Sequence, residues 1–370
     1  MQFYMPVQVY DEADCVRRHA EVFAGAGRRA LVVTGRHSAR ANGSYDDVCA
    51  ALKACGTEHV LFDAIEENPS VETVMRARDF GLAEGADCVI GIGGGSPLDA
   101  AKAIALMLAY PEEPADFLFH GELKNGRHRL PLVLIPTTCG TGSEVTAASV
   151  LTLHDQQTKA AIPHRIFCDT ALVDGKYLAV APETVIRNTA VDALGHLWES
   201  CLNADVSDAA RMCADAGLKV WSRSRELLLR AAKSGDGKRL YTAEDYTNLM
   251  RASMFAGMAI AQSGTSLPHA LSYPITYSEH MAHGAAIGYF QAGYLAEGPE
   301  ELRRYLLETA GFADLVDWQR CYELLCGGGK LPESILEHAV DTAMENTAKL
   351  KKAPFAVSRE TLRRIAYWGR

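Results

Sequence analysis

A short apolar strand that runs directly into three consecutive glycines is the feature that most constrains how this chain folds. Residues 88–92 predict a buried strand, and 93–97 (Gly-Gly-Gly-Ser-Pro) follow at once, ahead of a predicted helix. Glycines let the backbone approach a ligand closely, and the free N–H groups at a helix N-terminus attract an anion, usually a phosphate. Asp99 and Lys102 close behind favour a phosphate site. Because Ser96 replaces the third glycine of the standard dinucleotide fingerprint, a tight structural turn is the alternative.

Apolar strands alternate with amphipathic helices through the first half of the chain. The pattern predicts strands over 30–34, 60–62, 88–92 and 130–135. It predicts helices over 44–55, with Ser44 as N-cap and Gly56 just past the end, and over 71–82 and 98–108. This alternation is typical of an α/β fold with a mostly parallel sheet covered by helices on both faces.

Long helical patterns dominate after Pro182. They run over 183–203, 208–234 and 242–261, and strand-like runs become rare. We therefore expect an α/β domain over 1–178 and an all-α C-terminal domain over 179–370, packed closely with an active-site cleft between them.

The 370 residues include 46 acidic and 37 basic side chains, and the net charge of −9 makes the chain a poor candidate for binding nucleic-acid phosphates. No apolar run approaches the ~18 residues of a membrane span. The first six residues lack the basic and apolar regions of a signal peptide, and ten scattered cysteines without a CxxC pair are typical of reduced thiols. We expect a cytoplasmic protein with no nucleic-acid or membrane partner.

A second polar turn, 136–144, follows the strand predicted over 130–135 and is rich in hydroxyl groups and glycines. Ligands of open α/β sheets bind beyond the carboxyl ends of the strands, so two such turns indicate one site. An ordinary Ser/Thr-rich loop is the alternative. Lys159 is a candidate to reach a ribose or phosphate, with a surface lysine as the alternative.

Asp192 and His196 are four residues apart in a predicted helix and therefore share one face. Three more histidines, His269, His280 and His283, follow within fifteen residues of one another. One carboxylate with several neutral imidazoles suits iron(II), zinc or manganese. The alternative for each histidine is a satisfied core or surface side chain.

Four motifs together resemble the iron-containing (group III) alcohol dehydrogenase family, and within it the NADPH-dependent butanol dehydrogenases. They are GGGSPLDAAKA at 93–103, PTTCGTGSEVT at 136–146, DALGHLWE at 192–199 and HALSYPITYSEHMAHG at 269–284. The resemblance spans essentially the whole chain in the family's order. It implies an N-terminal dinucleotide-binding domain, a helical metal-binding domain and a homo-oligomer, expected to be a dimer.

The resemblance also implies the site residues, position by position. The implied metal ligands, for Fe²⁺ or alternatively Zn²⁺, are Asp192, His196, His269 and His283. The implied cofactor-binding residues are Gly94, Gly95 and Ser96 at the pyrophosphate, Thr137, Thr138, Thr141 and Ser143 along the nicotinamide and ribose, Lys159 at a ribose, and Asp99.

Three positions depart from the family pattern. Tyr273 stands where many members have a further histidine, His280 is additional, and Ala190 and Val191 precede Asp192 where a glycine is usual. The metal ligands are unaffected. The proton carrier is left open among bound water, a ribose hydroxyl, His280 and Tyr273.

The strand predicted over 30–34 is followed by Gly35, Arg36, His37, Ser38 and Arg40. NAD-specific sites place a carboxylate here on the adenosine ribose, and that carboxylate would repel a 2′-phosphate. Because this turn has two guanidinium groups and no acid, it predicts NADP(H) in preference to NAD(H), with Gly35 and Ser38 beside the cofactor. A solvated loop is the alternative.

The predicted function is metal-dependent hydride transfer between NADP(H) and a small primary alcohol or aldehyde. The alternative is a dehydroquinate synthase-like or glycerol dehydrogenase-like enzyme that uses bound NAD on a polar substrate. Apolar residues near the predicted ligands, among them Leu197, Trp198 and Phe290, favour the alcohol. A non-catalytic metal- or nucleotide-binding protein is the third possibility.

Overall fold

The computed structural model describes residues 3–123, 128–156, 158–234 and 240–370. The chain divides into two compact units. The sheet unit comprises Met5–Thr138 and Gly142–Ala181. The helical unit comprises Pro182–Arg370 together with the short segment Cys139–Thr141 and, at the start of the chain, residues 3–4. The predicted domain bounds, 1–178 and 179–370, stay a prediction.

The sheet unit is built on a parallel sheet whose strands lie in the order β1-β8-β5-β4-β2-β3. The strands of this sheet are β1 (Gln8–Asp11), β2 (Arg29–Gly35), β3 (Glu58–Ile65), β4 (Cys88–Gly93), β5 (Leu132–Pro136) and β8 (Thr170–Val173). A separate antiparallel pair consists of β6 (Val150–Leu153) and β7 (Thr158–Ala161). The four predicted strands are present, and the two outermost on the β1 side were missed because each is only four residues long.

Helices cover both faces of this sheet. They are α1 (Cys15–Arg18), α2 (Glu21–Ala26), α3 (Ser38–Ala41), α4 (Ser44–Cys55), α5 (Val71–Ala83), α6 (Gly95–Ala109) and α7 (Phe117–His120), with short 3₁₀ turns at Ser143–Val145, His154–Gln156 and Gly175–Leu178. The predicted α/β class is thereby confirmed.

Alternate residues of the central strands are buried on opposite faces. On one face Val32 and Ile90 pack with Phe23 and with Leu52 of α4 in a single apolar core. On the other face Gly91 makes room for α6, since a Cβ there would lie 2.7 Å from the Cβ of Ala101. Strands buried on both faces read as continuous apolar runs, which is why their positions were readable from sequence.

The helical unit contains the remaining elements. They are α8 (Glu183–Cys201), α9 (Asp208–Ser222), α10 (Arg225–Lys233), α11 (Ala243–Ser263), α12 (Leu267–Ser278), α13 (His283–Glu297), α14 (Glu300–Ala310), α15 (Leu315–Cys326), α16 (Glu333–Glu345), α17 (Thr347–Leu350) and α18 (Arg359–Ala366). All regular elements described from Pro182 onward are helices, as predicted.

Helix α8 lies at the centre of this unit and packs against α9, α11 and α13. Every residue from Ala190 to Cys201 is buried, which is expected of a helix enclosed on all sides. The indole of Trp198 packs against Phe312 and Trp318. Side chains that project from this helix are therefore held rigidly.

Two local predictions were wrong. Ser44 does not cap α4, because Gly43 holds the cap position in the left-handed conformation and Ser44 is already helical. The helix predicted over 208–234 is two helices, α9 and α10, separated at Arg223 and Ser224. Among the described residues, no helix is both long and apolar enough to cross a membrane.

Lys102 is fully buried in α6 and ties that helix to the chain that follows β5. Its Nζ donates to Ser143 Oγ at 2.8 Å, to the Ala148 carbonyl at 2.7 Å and to Thr146 Oγ1 at 3.3 Å. The same Nζ lies 3.7 Å from Asp99 Oδ1. The buried cation thus balances a carboxylate and satisfies three acceptors.

Replacing Lys102 with Met is expected to lower the free energy of unfolding of the sheet unit by about 3–5 kcal/mol, because it leaves the Asp99 carboxylate without its cation. Urea denaturation measures the change. The matched control is Lys330→Met at an exposed position, which is expected to stay within about 0.5 kcal/mol of the parent. Equal stability of the two variants would contradict the role given to Lys102.

Candidate metal centre and cofactor turn

Helix α8 presents three ionisable side chains along one face. Asp192, His196 and Glu199 follow at spacings of four and three residues, which places them above one another on the helix surface. All three are buried, with Glu199 fully inaccessible to solvent. Asp192 and His196 were predicted from the sequence, whereas Glu199 was not, although its spacing from His196 was a readable signal.

Helix α12 brings His269 against this face. The Nε2 atoms of His269 and His196 lie 2.9 Å apart, and their rings are stacked with centroids 4.6 Å apart. Asp192 Oδ1 lies 3.8 Å from His196 Nε2. Ligand atoms of Asp192, His196 and His269 all fall within 4.8 Å of one another, so the structure brings these three predicted ligands together.

The hydrogen bonds on the far side of each ring fix where the imidazole protons are. His269 Nδ1 lies 2.7 Å from Glu199 Oε1, and His196 Nδ1 lies 3.2 Å from the carbonyl oxygen of Gly140. Burial raises the pKa of the Glu199 carboxyl to about 7. A carbonyl only accepts, and in its ionised form this carboxylate only accepts, so both Nδ1 atoms are then the donors. Both Nε2 atoms therefore carry lone pairs that point at each other.

Two facing lone pairs repel unless a cation lies between them. A shared proton would make an imidazolium, but burial, reinforced by the neighbouring His196, lowers the pKa of His269 well below its usual value. Asp192 Oδ1 is also buried without a hydrogen-bond partner among the described residues. Two neutral imidazoles and one unpartnered carboxylate oxygen fit a divalent transition-metal ion.

His283, the fourth predicted ligand, is the first residue of α13. Its ring lies edge-on to that of His269, with centroids 5.6 Å apart. Helix α13 approaches α8 closely only because residue 284 is glycine, since a Cβ there would lie 1.8 Å from the carbonyl oxygen of Asn188. The glycine thus sets the position from which His283 projects.

The two candidate proton carriers differ in their surroundings. The ring of Tyr273 is parallel to that of His283, with centroids 6.3 Å apart. His280 is exposed, in a left-handed backbone conformation between α12 and α13. Only Tyr273 lies beside a predicted ligand in this way.

Two of the apolar side chains expected near the substrate, Leu197 and Trp198, point into the core of the helical unit. Leu197 packs towards Gly217 of α9, and Trp198 belongs to the aromatic cluster with Phe312 and Trp318. These two apolar side chains build the core of the helical unit, so they carry no information about the substrate.

In the sheet unit the two polar turns meet at the carboxyl ends of adjacent strands. Gly93 of β4 is in register with Pro136 of β5, and the Thr137 amide donates to the Gly93 carbonyl at 2.9 Å. A Cβ on Gly94 would lie 3.0 Å from Thr138 Oγ1. Gly95 and Ser96 then open α6, whose first turn offers N–H groups to an anion, as a phosphate-binding turn requires.

Asn68, which the sequence predicted only as a break, lies in the loop between β3 and α5 and contacts the glycine turn. Its backbone N–H donates to Ser96 Oγ at 3.0 Å, and its side-chain Oδ1 accepts from Lys159 Nζ at 2.7 Å. Its φ of 58° is one that asparagine adopts more readily than most residues. The structure thus brings Lys159 to the edge of the glycine turn, where burial lowers its pKa.

Asp99 and Ser143 were both predicted to contact the cofactor. In the structure their hydrogen bonds link α6 to the chain that follows β5. The Ser143 hydroxyl donates to Asp99 Oδ1 at 2.5 Å, and the Val150 amide donates to Oδ2 at 2.9 Å. Thr141, another predicted contact, belongs to the short segment that groups with the helical unit.

The turn after β2 contains the residues that predict cofactor preference. Gly35 ends the strand and Ser38 begins α3, where Arg36, Ser38 and Arg40 are exposed. The Nη2 atom of Arg40 lies 3.8 Å from Oδ2 of Asp63. A Cβ on Gly35 would meet its nearest atom, the Ile65 carbonyl oxygen, at 3.5 Å, which is ordinary contact.

Residues 6–175 match the family described as iron-containing alcohol dehydrogenase, and residues 186–295 match the C-terminal region of the same family. The chain belongs to the iron-containing alcohol dehydrogenase family. It is therefore an oxidoreductase of that family, for which iron and NAD(P) are the implied cofactors. The dehydroquinate synthase-like alternative is not favoured.

Individual relatives agree with this family assignment. A long-chain-alcohol dehydrogenase of Geobacillus thermodenitrificans is 31% identical over 346 residues, which cover 87% of this chain and 85% of the relative. An NADPH-dependent butanol dehydrogenase of Clostridium saccharobutylicum is 30% identical over 77% of this chain and 71% of its own length. The crystal structure of an iron-containing alcohol dehydrogenase from Thermotoga maritima superposes with a TM-score of 0.87 at 32% identity, covering 98% of each chain.

His269→Ala is expected to abolish retention of iron or zinc, because it removes one of the two facing Nε2 lone pairs. Metal content after dialysis, measured by elemental mass spectrometry, tests this. His280→Ala removes an exposed imidazole eleven residues further on and is expected to retain a full complement of metal. Retention of metal by the His269 variant would show that this residue is not a ligand.

Proposed function

We infer that this protein transfers a hydride between NADP(H) and a small primary alcohol or aldehyde, with a divalent metal held by Asp192, His196, His269 and His283. The observation that carries the proposal is the pair of imidazole Nε2 atoms 2.9 Å apart, beside an Asp192 oxygen that has no hydrogen-bond partner among the described residues. The overall reaction is alcohol plus NADP⁺ giving aldehyde, NADPH and a proton.

The bound metal supplies a Lewis acid that polarises the substrate oxygen. The chain supplies the rest. Glu199 and the Gly140 carbonyl orient the two imidazoles, and the closely packed α8 excludes water behind them. Gly94, Gly95 and Ser96 offer backbone N–H groups to the pyrophosphate. Tyr273 is the side chain we assign to proton transfer, since its ring lies alongside His283 whereas His280 is exposed.

The substrate class rests on the relatives, two of which are named for alcohols. Preference for NADP(H) rests on the turn after β2, which has guanidinium groups and no carboxylate of its own. Because Asp63 already faces Arg40, we assign the 2′-phosphate to Arg36. A homodimer and a cytoplasmic location remain predictions from the sequence.

The direct test is oxidation of NADPH by a short-chain aldehyde such as butanal, followed by the absorbance of the reduced nicotinamide. Iron-loaded protein is expected to turn over, metal-stripped protein is expected to lose essentially all activity, and reloading is expected to restore it. Unchanged turnover after stripping would contradict a metal-dependent reaction. Binding of NADPH without turnover of any alcohol or aldehyde would favour a non-catalytic protein.

Gly35→Asp is expected to shift preference from NADPH towards NADH by roughly 10–100-fold in the ratio of kcat/KM values, since a charge-assisted contact is worth about 1.5–3 kcal/mol. The new carboxylate accepts ribose hydroxyls and repels a 2′-phosphate. The site admits the side chain, because a Cβ meets only ordinary contacts there.

Gly35→Asn is the matched control, since it adds the same bulk without the charge. A preference for NADH in the parent protein would overturn the assignment of NADP(H). An equal shift in the Asn variant would show that bulk, and not charge, sets the preference.

A further inference from the structure

We propose that Glu199 is a positioning residue that sets the metal affinity of the site by fixing the tautomer and orientation of His269. The proposal rests on the metal site proposed above. In this role Glu199 contacts neither substrate nor cofactor, and acts through the imidazole that it holds.

Three hydrogen-bond donors converge on the two oxygens of the Glu199 carboxylate. His269 Nδ1 donates to Oε1 at 2.7 Å, Gln291 Nε2 donates to Oε1 at 2.8 Å, and the Ser266 amide donates to Oε2 at 2.7 Å. Glu199 and Gln291 are both fully buried. A carboxylate is the side chain that accepts at both oxygens, so the three donors fit an acidic side chain at this position.

The donors come from separate elements, which makes the arrangement a brace between helices. Ser266 immediately precedes α12 and His269 lies in its first turn, whereas Gln291 belongs to α13, two turns beyond His283. Glu199 itself extends the α8 face that carries Asp192 and His196. One carboxylate therefore links all three helices that supply the proposed ligands.

Glycine at position 195 shows that room for this brace is built into α8. A Cβ there would lie 2.9 Å from Gln291 Nε2, the atom that donates to Glu199. The absence of that carbon lets the amide reach the carboxylate. Gly195 therefore supports the brace by leaving space for the Gln291 side chain.

The consequence for His269 follows from proton placement. While Glu199 accepts from Nδ1, the Nδ1 tautomer is held and Nε2 presents a lone pair to the metal. An amide at position 199 has only one acceptor oxygen. The NH₂ group of a glutamine would therefore face either His269 Nδ1 or the Ser266 N–H, and one of these two donors would lose its acceptor. The His269 ring would then lose its fixed tautomer, or the start of α12 would lose its hydrogen bond to α8.

Glu199→Gln is expected to weaken metal binding by about 10–100-fold, the usual effect of removing an outer-shell partner of a ligating histidine. The dissociation constants for Zn²⁺ and Co²⁺ are measured by competition with a chromophoric chelator. The visible absorption bands of the Co²⁺-loaded variant are expected to shift as well, which a purely structural effect on the fold would not produce.

The matched control is Glu183→Gln, which removes a carboxylate from the same helix nine residues before Asp192 and is expected to leave both constants unchanged. If Glu199→Gln does not fold, as judged by circular dichroism, Gln291→Met provides the test. It keeps the carboxylate but removes one donor, and is expected to weaken metal binding several-fold.

The outcomes separate the two proposals. If the parent protein binds neither Zn²⁺, Co²⁺ nor Fe²⁺, the proposed metal site itself is wrong. If the parent binds metal and Glu199→Gln, or Gln291→Met in its place, binds it equally well with the same Co²⁺ spectrum, the positioning role of Glu199 is overturned.

Discussion

Repulsion between two imidazole lone pairs is the constraint around which the helical unit is organised. His196 and His269 would separate if either ring were free to turn, but each is tied from behind, one to the Gly140 carbonyl and the other to Glu199. The protein therefore holds two repelling nitrogen atoms together in a rigid, buried place. At the proposed metal site, a divalent ion bound by both nitrogens would relieve this repulsion.

Helices α8 and α13, which carry three of the four proposed ligands, approach one another closely. Three positions with no Cβ allow it: Gly195 on α8, and Gly284 and Gly288 on α13. At Gly288 an added Cβ would lie 2.6 Å from Val191 Cγ1, so this position of α13 also has no space for a side chain. The close packing of these helices thus also sets the positions of the proposed ligands.

The sequence predicted what depends on local pattern. Runs buried on both sheet faces predicted the central strands, and the spacing of Asp192 and His196 predicted one helix face. The glycine turn predicted the helix α6, although the helix begins at Gly95, three residues before the predicted start. The sequence missed what depends on tertiary neighbours. The spacing of Glu199 from His196 was readable, but its role depends on Ser266 and Gln291, which approach it from other parts of the chain. The Ser44 prediction was instead a local error, because Gly43, one residue earlier, holds the cap position.

Asn68 shows how narrowly an exposed loop position can be specified. Glycine would adopt its positive φ more easily but has no oxygen to receive the Lys159 ammonium. Aspartate would offer the oxygen together with a negative charge, beside a turn whose N–H groups suit a phosphate. Larger or β-branched side chains are strained in this conformation. Asparagine alone meets both demands, so sequence variation here is expected to be far more restricted than solvent exposure would suggest.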